Sequence, residues 1–475
     1  MSKYLSLIPF VALIVLIAVC VAVFGSNALE GATQVSLLIA SAICVLVGYL
    51  MHRVEWSSLE REMTDQISTC MPSIIILMLI GAIGATWMIS GIVPTMIYYG
   101  VQLLRPEWFL VSSSVFCALV SLMVGSSWTT VATIGVALMG IGRAHGFDDG
   151  WTAGSIITGA YFGDKLSPLS DTTVLASSVS GTPLFTHIHF MLRTTIPTFC
   201  VSLLIFLAAG LLMHVPAEAN VHFLDKLTET FYISPWLLLV PVLTGIMIAR
   251  RWPAMVVLFL AALMAALVAA TLQPHLVAQI AGHEATGLLT YYEGVMKVVY
   301  APTELQMGDD LLNGLVRTHG MAGMMPTIWL IICAQVFAGI VTATGVLNDI
   351  MSHVLRHIHG SASLVAATAA TGIGCNIAMS DQFLAIILTS SVFKDTYRRR
   401  GYEVRLLSRT CEDGATVTSV LIPWNTCGLV QSTVLGVATL TYLPYCFFNL
   451  LSPVTSIIAA AIGSKGTRPQ QTELT

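Results

Sequence analysis

Residues 159–173 read Gly-Ala-Tyr-Phe-Gly-Asp-Lys-Leu-Ser-Pro-Leu-Ser-Asp-Thr-Thr, and this stretch governs how the rest of the chain is read. Asp164, Lys165 and Asp171 sit within an otherwise apolar run over 151–180. Burying an aspartate at mid-membrane costs about 2.5–3.5 kcal/mol on insertion scales. Such a residue must be paired, protonated or bound to a cation. Pro168 and the nearby glycines predict a break here rather than a plain spanning helix, with backbone carbonyls freed at the break.

The surroundings of that stretch are membrane-like. Of 475 residues, 56% are hydrophobic and 10% charged, with a mean hydropathy of +0.83. Soluble domains carry roughly 25% charged residues, and a spanning helix needs about 20 mostly apolar ones. Apolar runs fall at about 5–24, 33–51, 71–100, 108–142, 151–180, 187–214, 233–249, 253–272, 323–346, 362–391, 411–430 and 436–462. The stretches 52–70, 215–232 and 273–322 are polar, the last with Glu284, Glu293, Glu304, Asp309 and Asp310. Leu5–Phe24 is long for a signal peptide and lacks a small-residue cleavage site, so it reads as the first span. Net charge is only −4, which gives no reason to expect nucleic acid, and the ten cysteines are scattered without a CxxC pair.

Two runs, 108–142 and 362–391, are long and interrupted, by Gly125-Ser-Ser-Trp-Thr-Thr130 and by Gly374-Cys-Asn-Ile-Ala-Met-Ser-Asp-Gln382. They read as re-entrant hairpins, and 151–180 and 411–430 as broken spans. From Gly125 to Asp164 is 39 residues, and from Gly374 to Asp413 is also 39, which predicts an internal repeat offset by 249. Interrupted segments at corresponding places in two halves point to a transporter binding site. With the N-terminus inside, fifteen Lys and Arg face the cytoplasm and five face outward, and Lys165 is left in the membrane. The expected fold is an all-α polytopic membrane protein of about ten spans plus two hairpins. Its two repeats are inverted and contain discontinuous helices, and both termini are cytoplasmic. The expected divisions are N-terminal scaffold spans (1–70), repeat 1 (71–214), connecting spans and an external loop (215–322), repeat 2 (323–462) and a disordered tail (463–475).

These acids outnumber the one lysine that could neutralise them, and a cation site follows. Sodium is a hard ion that favours oxygen ligands. Asp164 and Asp171 are the candidate Na⁺ carboxylates, with Ser167, Thr172 and freed carbonyls beside them. The partner segments offer Asn376, Asp381 and Asp413, and the first hairpin tip offers Ser127 and Thr130. Lys165, Glu412 and Asn425 are supporting candidates. A carboxylate balanced near neutral pH holds a proton or Na⁺, not both, and that competition suffices for antiport. Each residue also has a structural reading. Lys165 can form an ion pair with an aspartate, and hydroxyls can back-bond to their own helix. Asp381 and Asn425 can cap helix breaks, and Glu412 can lie in interfacial water beside Arg409. His187 and His189, and the group His353, His357 and His359, read as solvated interfacial positions rather than pH sensors. HExxH, GxSxG, Walker A and dinucleotide motifs are absent, so no enzymatic activity is expected.

The motifs GSSWTTVATIG (125–135), GAYFGDKLSPLSDTT (159–173), GTPLFTHI (181–188), SDQFLAIIL (380–388), SRTCEDGATVTSVLIPWNTCG (408–428) and YLPYCFFN (442–449) resemble those of the NhaC family of Na⁺/H⁺ antiporters. The resemblance covers about residues 70–460. It implies a prokaryotic inner-membrane exchanger of Na⁺ and H⁺ with no cofactor, set among membrane lipids. It also implies a scaffold part, as a homodimer, and a transport part that moves. Relatives in that family exchange organic acids, as in malate–lactate antiport, or amino acids. An organic anion would want a positive partner, for which Lys165 and Arg193 are the candidates.

Overall fold

The computed structural model of the chain is all-helical and describes residues 5–24, 31–213, 219–250, 252–282, 287–304, 316–346 and 360–463. Among these residues the only extended pairing is an isolated bridge between Thr303 and Thr318. His353, His357, His359, Glu284, Asp309, Asp310 and the tail beyond Gly463 lie outside the described residues.

The N-terminal helices are α1 (Ile8–Phe24), α2 (Ala32–His52), α3 (Trp56–Ile89) and α4 (Ile92–Leu103). Next come α5 (Pro106–Val124), α6 (Ser127–Thr130), a π-helical turn over Val131–Gly135, α7 (Val136–Ala144), α8 (Asp149–Leu166), α9 (Asp171–Ser180) and α10 (Leu184–Leu212). The middle section holds α11 (Ala219–Thr230), α12 (Leu239–Ala249), α13 (Ala254–Leu272), α14 (Pro274–Ala281) and α15 (Leu288–Tyr300). The last section opens with α16 (Met325–Thr344), α17 (Ser361–Met379), α18 (Gln382–Arg399) and α19 (Val404–Cys411). A second π-helical turn (Glu412–Thr416) and a 3-10 turn (Ser419–Leu421) lead to α20 (Thr426–Leu435), α21 (Thr439–Tyr442) and α22 (Phe447–Ile462).

Among the described residues seven helices are long and apolar enough to cross a membrane, and up to nine spans result if each of two sharply bent helix pairs counts as one. The bent pairs are Leu224–Thr230 with Pro235–Ala249 (87°) and Thr426–Leu435 with Thr439–Tyr445 (88°). With the shorter apolar helices α1 and α22, this is the polytopic membrane protein that the composition requires. The hairpin arms α5 and α17, at 19 residues each, are long enough by themselves to span. The 34-residue α3 runs unbroken through residues 70 and 71, where the sequence reading divides the chain. Its first half is not simply solvated. Leu59, Gln66 and Cys70 are buried, and α16 comes so close that a Cβ on Gly339 would stand 2.7 Å from the Met63 Cα.

The repeat is present, but in a different register. α5 ends at Gly125 (φ +71°) and α17 at Ser380 (φ +55°), both left-handed. From Gly125 to Ser380 is 255 residues, and the same interval recurs through both halves. Ser121 Oγ donates to the Ala160 carbonyl (2.6 Å) as Asn376 Nδ2 donates to that of Ala415 (2.5 Å). Ser170 caps α9 as Asn425 caps α20. Gly181 (φ +80°) ends α9 as Gly436 (φ +67°) ends α20. The offset of 249 expected from the letters is therefore corrected to 255. Gly374, read as a helix breaker, lies inside α17, and the break falls at Ser380-Asp381.

In both halves the first hairpin arm packs along the broken helix at a glycine. A Cβ on Gly159 would lie 2.0 Å from the Ser114 carbonyl oxygen, and one on Gly414 would lie 2.6 Å from the Ala369 Cα. Ser114 and Ala369 are themselves 255 apart. Backbone cannot yield to a new methyl as a flexible side chain can. Gly159→Ala and Gly414→Ala are each expected to cost about 1–3 kcal/mol and to lower the melting temperature in detergent. Gly84→Ala, where a Cβ meets nothing within 4 Å, is the control expected to leave it within error.

Candidate functional site

Breaking a helix inside a membrane strands backbone N–H groups, and each break here is closed by a side chain. At the first, Ser126 accepts from the Thr129 amide (3.2 Å) and starts α6. The next residue, Ser127, donates to Asp164 Oδ2 from its amide (3.1 Å) and its hydroxyl (2.7 Å). Asp164 is buried in the last turn of α8. Charge-assisted hydrogen bonds of this kind are the stronger ones. Beyond Asp164 the chain leaves the helix over 167–170, and Ser170 caps α9. Thr173 Oγ1 reaches back across this break to the Lys165 carbonyl (3.1 Å). Asp171, in the first turn of α9, is exposed, yet near enough for its charge to act on Asp164.

The corresponding break in the other half has its own carboxylate. Asp381 Oδ1 accepts from the Phe383 amide (2.9 Å) and the Leu384 amide (3.1 Å), and Thr426 donates to its Oδ2 (3.3 Å). Asn425 accepts from the Cys427 amide (3.0 Å) and its Nδ2 contacts Asn376 Oδ1 (3.3 Å). Asp381 and Asn425 thus take the capping roles weighed for them. In the 255 register, Asp381 and Thr426 stand where Ser126 and Asp171 stand, so acid and hydroxyl have exchanged elements. Likewise Ser127 and Asp164 correspond to Gln382 and Ser419, which also meet (3.4 Å).

Between the two breaks lies a buried charge cluster. Lys165 Nζ pairs directly with Asp413 Oδ1, both only 1% exposed. Arg409 Nε stands 4.0 Å from Asp413 Oδ2, and its guanidinium lies over the Phe190 ring (5.1 Å). One oxygen of Asp413 is thus held by Lys165, while Oδ2 has no hydrogen-bond partner. Glu412 is fully buried, not interfacial, and neither of its oxygens has a hydrogen-bond partner. Arg409, counted among the cytoplasmic charges, is buried as well. Its spacing of four from Asp413 was the available signal. His187 is also fully buried, with Nδ1 against Ser408 Oγ (2.8 Å), whereas His189 is exposed as expected.

The hydroxyls divide. Ser127 holds Asp164, but Thr130 back-bonds to the Ser126 carbonyl (2.9 Å), Ser167 accepts from the Leu169 amide (3.2 Å) and Thr172 meets Ser170 (3.0 Å). Among the described residues no group of three or more His, Cys, Asp or Glu could hold a metal ion. One carboxylate with hydroxyl and carbonyl oxygens instead suits a monovalent hard cation. A separate cavity of about 210 Å³ lies between α3, the first π turn with α7, and the end of α20, with Arg143, Arg317 and His319 among its lining. Both arginines are already paired there, with Asp149 (2.8 Å) and Glu304 (2.9 Å).

A family model described as the Na⁺/H⁺ antiporter family matches residues 159–464, a span that opens on the stretch carrying Asp164. The chain belongs to this family. It is 36% identical over 425 residues to the Na⁺/H⁺ antiporter NhaC of Alkalihalophilus pseudofirmus, covering 89% of each chain. It is 32% identical over 424 residues to NhaC of Bacillus subtilis, covering 89% of this chain and 90% of that one. The malate-2H⁺/Na⁺-lactate antiporter of Bacillus subtilis is 32% identical over 444 residues, 93% of this chain and 91% of that one. The resemblance read from the motifs is thereby borne out.

Removing one partner of a buried ion pair strands the other. Lys165→Ala is expected to destabilise the protein by about 3–5 kcal/mol. The double substitution Lys165→Met with Asp413→Leu is expected to recover only part of that loss, because buried Arg409 then lacks its neighbouring carboxylate. Thermal unfolding in detergent, followed by tryptophan fluorescence, checks both.

Proposed function

We propose that this chain exchanges Na⁺ for protons across a prokaryotic inner membrane, with Asp164 carrying whichever ion is bound. The observation that carries this reading is the seat of Asp164. It is a buried carboxylate at a helix break, held by two donors on the facing hairpin tip. A proton on Asp164 leaves when the site faces the side of lower proton concentration. Na⁺ then binds the carboxylate, the Ser127 hydroxyl oxygen and carbonyls of the break at 167–170. Ser127 fixes the carboxylate's orientation in both states. Exposed Asp171 draws cations toward the opening, and Asp381 at the second break supplies a further oxygen site. Membership in an antiporter family makes the chain a transporter.

In this reading the two repeats are inverted, and the breaks of both face a common path opened first to one side and then to the other. The hairpins re-enter on the face they leave, both termini are cytoplasmic, and a homodimeric scaffold carries the moving part. The alternative is exchange of an organic anion, as the name of one relative describes for that protein. It would need a free cation at the site. Lys165, the intramembrane candidate, is committed to Asp413, which weighs against that alternative.

Proteoliposomes with a preset pH gradient separate the two. Na⁺ alone is expected to collapse the gradient. K⁺ is expected to be inert, and malate, lactate or amino acids are expected to add nothing at fixed Na⁺. A strict requirement for an organic solute would overturn the reading. Asp164→Asn is expected to abolish exchange while leaving membrane insertion intact. Ser127→Ala is expected to raise the KM for Na⁺ roughly tenfold, the loss of one hydrogen bond to a charged group.

A further inference from the structure

The offset of 255 pairs two faces of the molecule that share a backbone plan and differ in how they close. In each, the second arm of one half's hairpin packs against the second half-helix of the other half: α18 on α9, and α6 to α7 on α20. The first face is shut. The carbonyls in the last turn of α9 have no partners within the helix. The Gly181 and Thr182 amides take those of Ser177 and Ser178, and Lys394 Nζ donates to that of Val179 (2.7 Å). A Cβ on Gly181, the residue that ends α9, would lie 3.6 Å from Lys394 Nζ and 4.0 Å from Arg398 Nη2. Two cations thus sit at a helix C-terminus, the end that favours positive charge.

The second face is open. Met139 and Arg143 stand where Lys394 and Arg398 stand, and Val434 and Gly436 where Val179 and Gly181 stand, each 255 residues away. A Cβ on Gly436 would meet nothing within 4 Å. Met139, Arg143, Val434 and Gly436 all line the cavity of about 210 Å³, which has α3 as its other wall. Methionine has no proton to donate to the Val434 carbonyl. Arg143 has donors, but its Nε and Nη2 are turned to Asp149 (2.8 and 2.9 Å). The lining runs from exposed Arg317 and His319 to Ala132. Ala132 lies in the π turn directly after α6, the helix whose Ser127 holds Asp164.

We propose that Lys394 and Arg143 are paired latches on the two mouths of the transport path, each closing its face by capping the C-terminus of the half-helix opposite. In the present conformation Lys394 holds the cytoplasmic mouth shut. Asp149 keeps Arg143 off the end of α20, so the outer mouth stands open. In the opposite conformation Arg143 leaves Asp149 for the end of α20, and Lys394 releases α9. The sides follow from the inverted repeats of the exchange reading, on which this rests. Both latches act on the balance between conformations and touch no ion.

Two introduced cysteines read the mouths: Val434→Cys in the cavity, and Ser180→Cys, fully buried at the closed end of α9. Each full-length variant is treated with a membrane-impermeant maleimide in right-side-out and in inverted vesicles, and adducts beyond those of the parent protein are counted by intact mass. The ratio of the outer rate to the inner rate follows the ratio of the two conformations. With both latches present, Val434→Cys is expected to label quickly and only from outside, and Ser180→Cys slowly and only from the cytoplasmic side. Lys394→Met is expected to lower the ratio about tenfold, the loss of one hydrogen bond from a charged donor. Lys394→Arg is expected to keep it. Arg143→Met is expected to raise it, since the closed outer mouth loses its latch and the open one only a half-exposed ion pair. An unchanged ratio in Lys394→Met would overturn the proposal and leave Lys394 a static helix cap, as would reaching either probe from the opposite side. Should Lys394→Met fail to fold, Arg143→Met decides, and a ratio no higher than that of the parent overturns the proposal. Labelling needs no ion. A strict requirement for an organic solute in the pH-gradient assay would therefore overturn the Na⁺ reading, while a shifted ratio would still support the latches.

Discussion

A helix interrupted inside a membrane must find partners for the backbone groups it strands, because lipid offers none. The rest of this molecule is arranged around that requirement. Four interruptions are closed by four side chains: Ser126, Ser170, Asp381 and Asn425. Each cap places the residues that follow it, and the candidate ligands lie next to the caps. Ser127 follows one cap, Asp171 and Thr426 follow two others, and Asp381 is itself a cap. Remove the caps and no site remains, since the carboxylates would have no fixed neighbours and the breaks would have no reason to persist.

The same requirement explains what could be read from the letters. Interrupted apolar runs, an acid-bearing broken span and the pairing of Lys165 with an aspartate were all legible, because each violates the ordinary composition of a spanning helix. The register of the repeat was not. Matching glycine to glycine and aspartate to aspartate gave 249, whereas the halves superpose their backbone roles at 255. Those roles are filled by different residues: Gly125 and Ser380 as left-handed ends, Ser126 and Asp381 as caps, Ser121 and Asn376 as donors across the helix pair. The backbone constrains geometry, and several side chains meet the same geometry. Burial of Glu412 and His187 was likewise illegible, since each lies beside residues that read equally well as interfacial, whereas that of Arg409 was signalled only by its spacing of four from Asp413.

Two halves with one backbone plan have diverged where charge is concerned. Repeat 1 keeps its buried acid at the end of the first half of the broken helix, with a serine on the hairpin tip. Repeat 2 puts its acid on the tip and a threonine on the second half-helix. Asp413 and Glu412, which belong to repeat 2, correspond to Thr158 and Ile157 in repeat 1. The acids of the charge cluster are therefore an addition to repeat 2, whereas its lysine, Lys165, comes from repeat 1. An antiporter needs its two breaks to hold the backbone open, but it does not need them to bind alike.

The glycine contacts at Gly159 and Gly414 carry a mechanical meaning. Where backbone touches backbone there are no side chains to repack, so α5 with α8, and α17 with the helix that follows α19, each behave as a single rod-like block. Asp164 belongs to the first block, whereas Ser127 begins the other arm of the hairpin and lies across the joint. Ser127 already ties the second arm to the block through its two hydrogen bonds to Asp164, so the joint between rigid block and hairpin tip is fastened by the same carboxylate that the exchange reading loads.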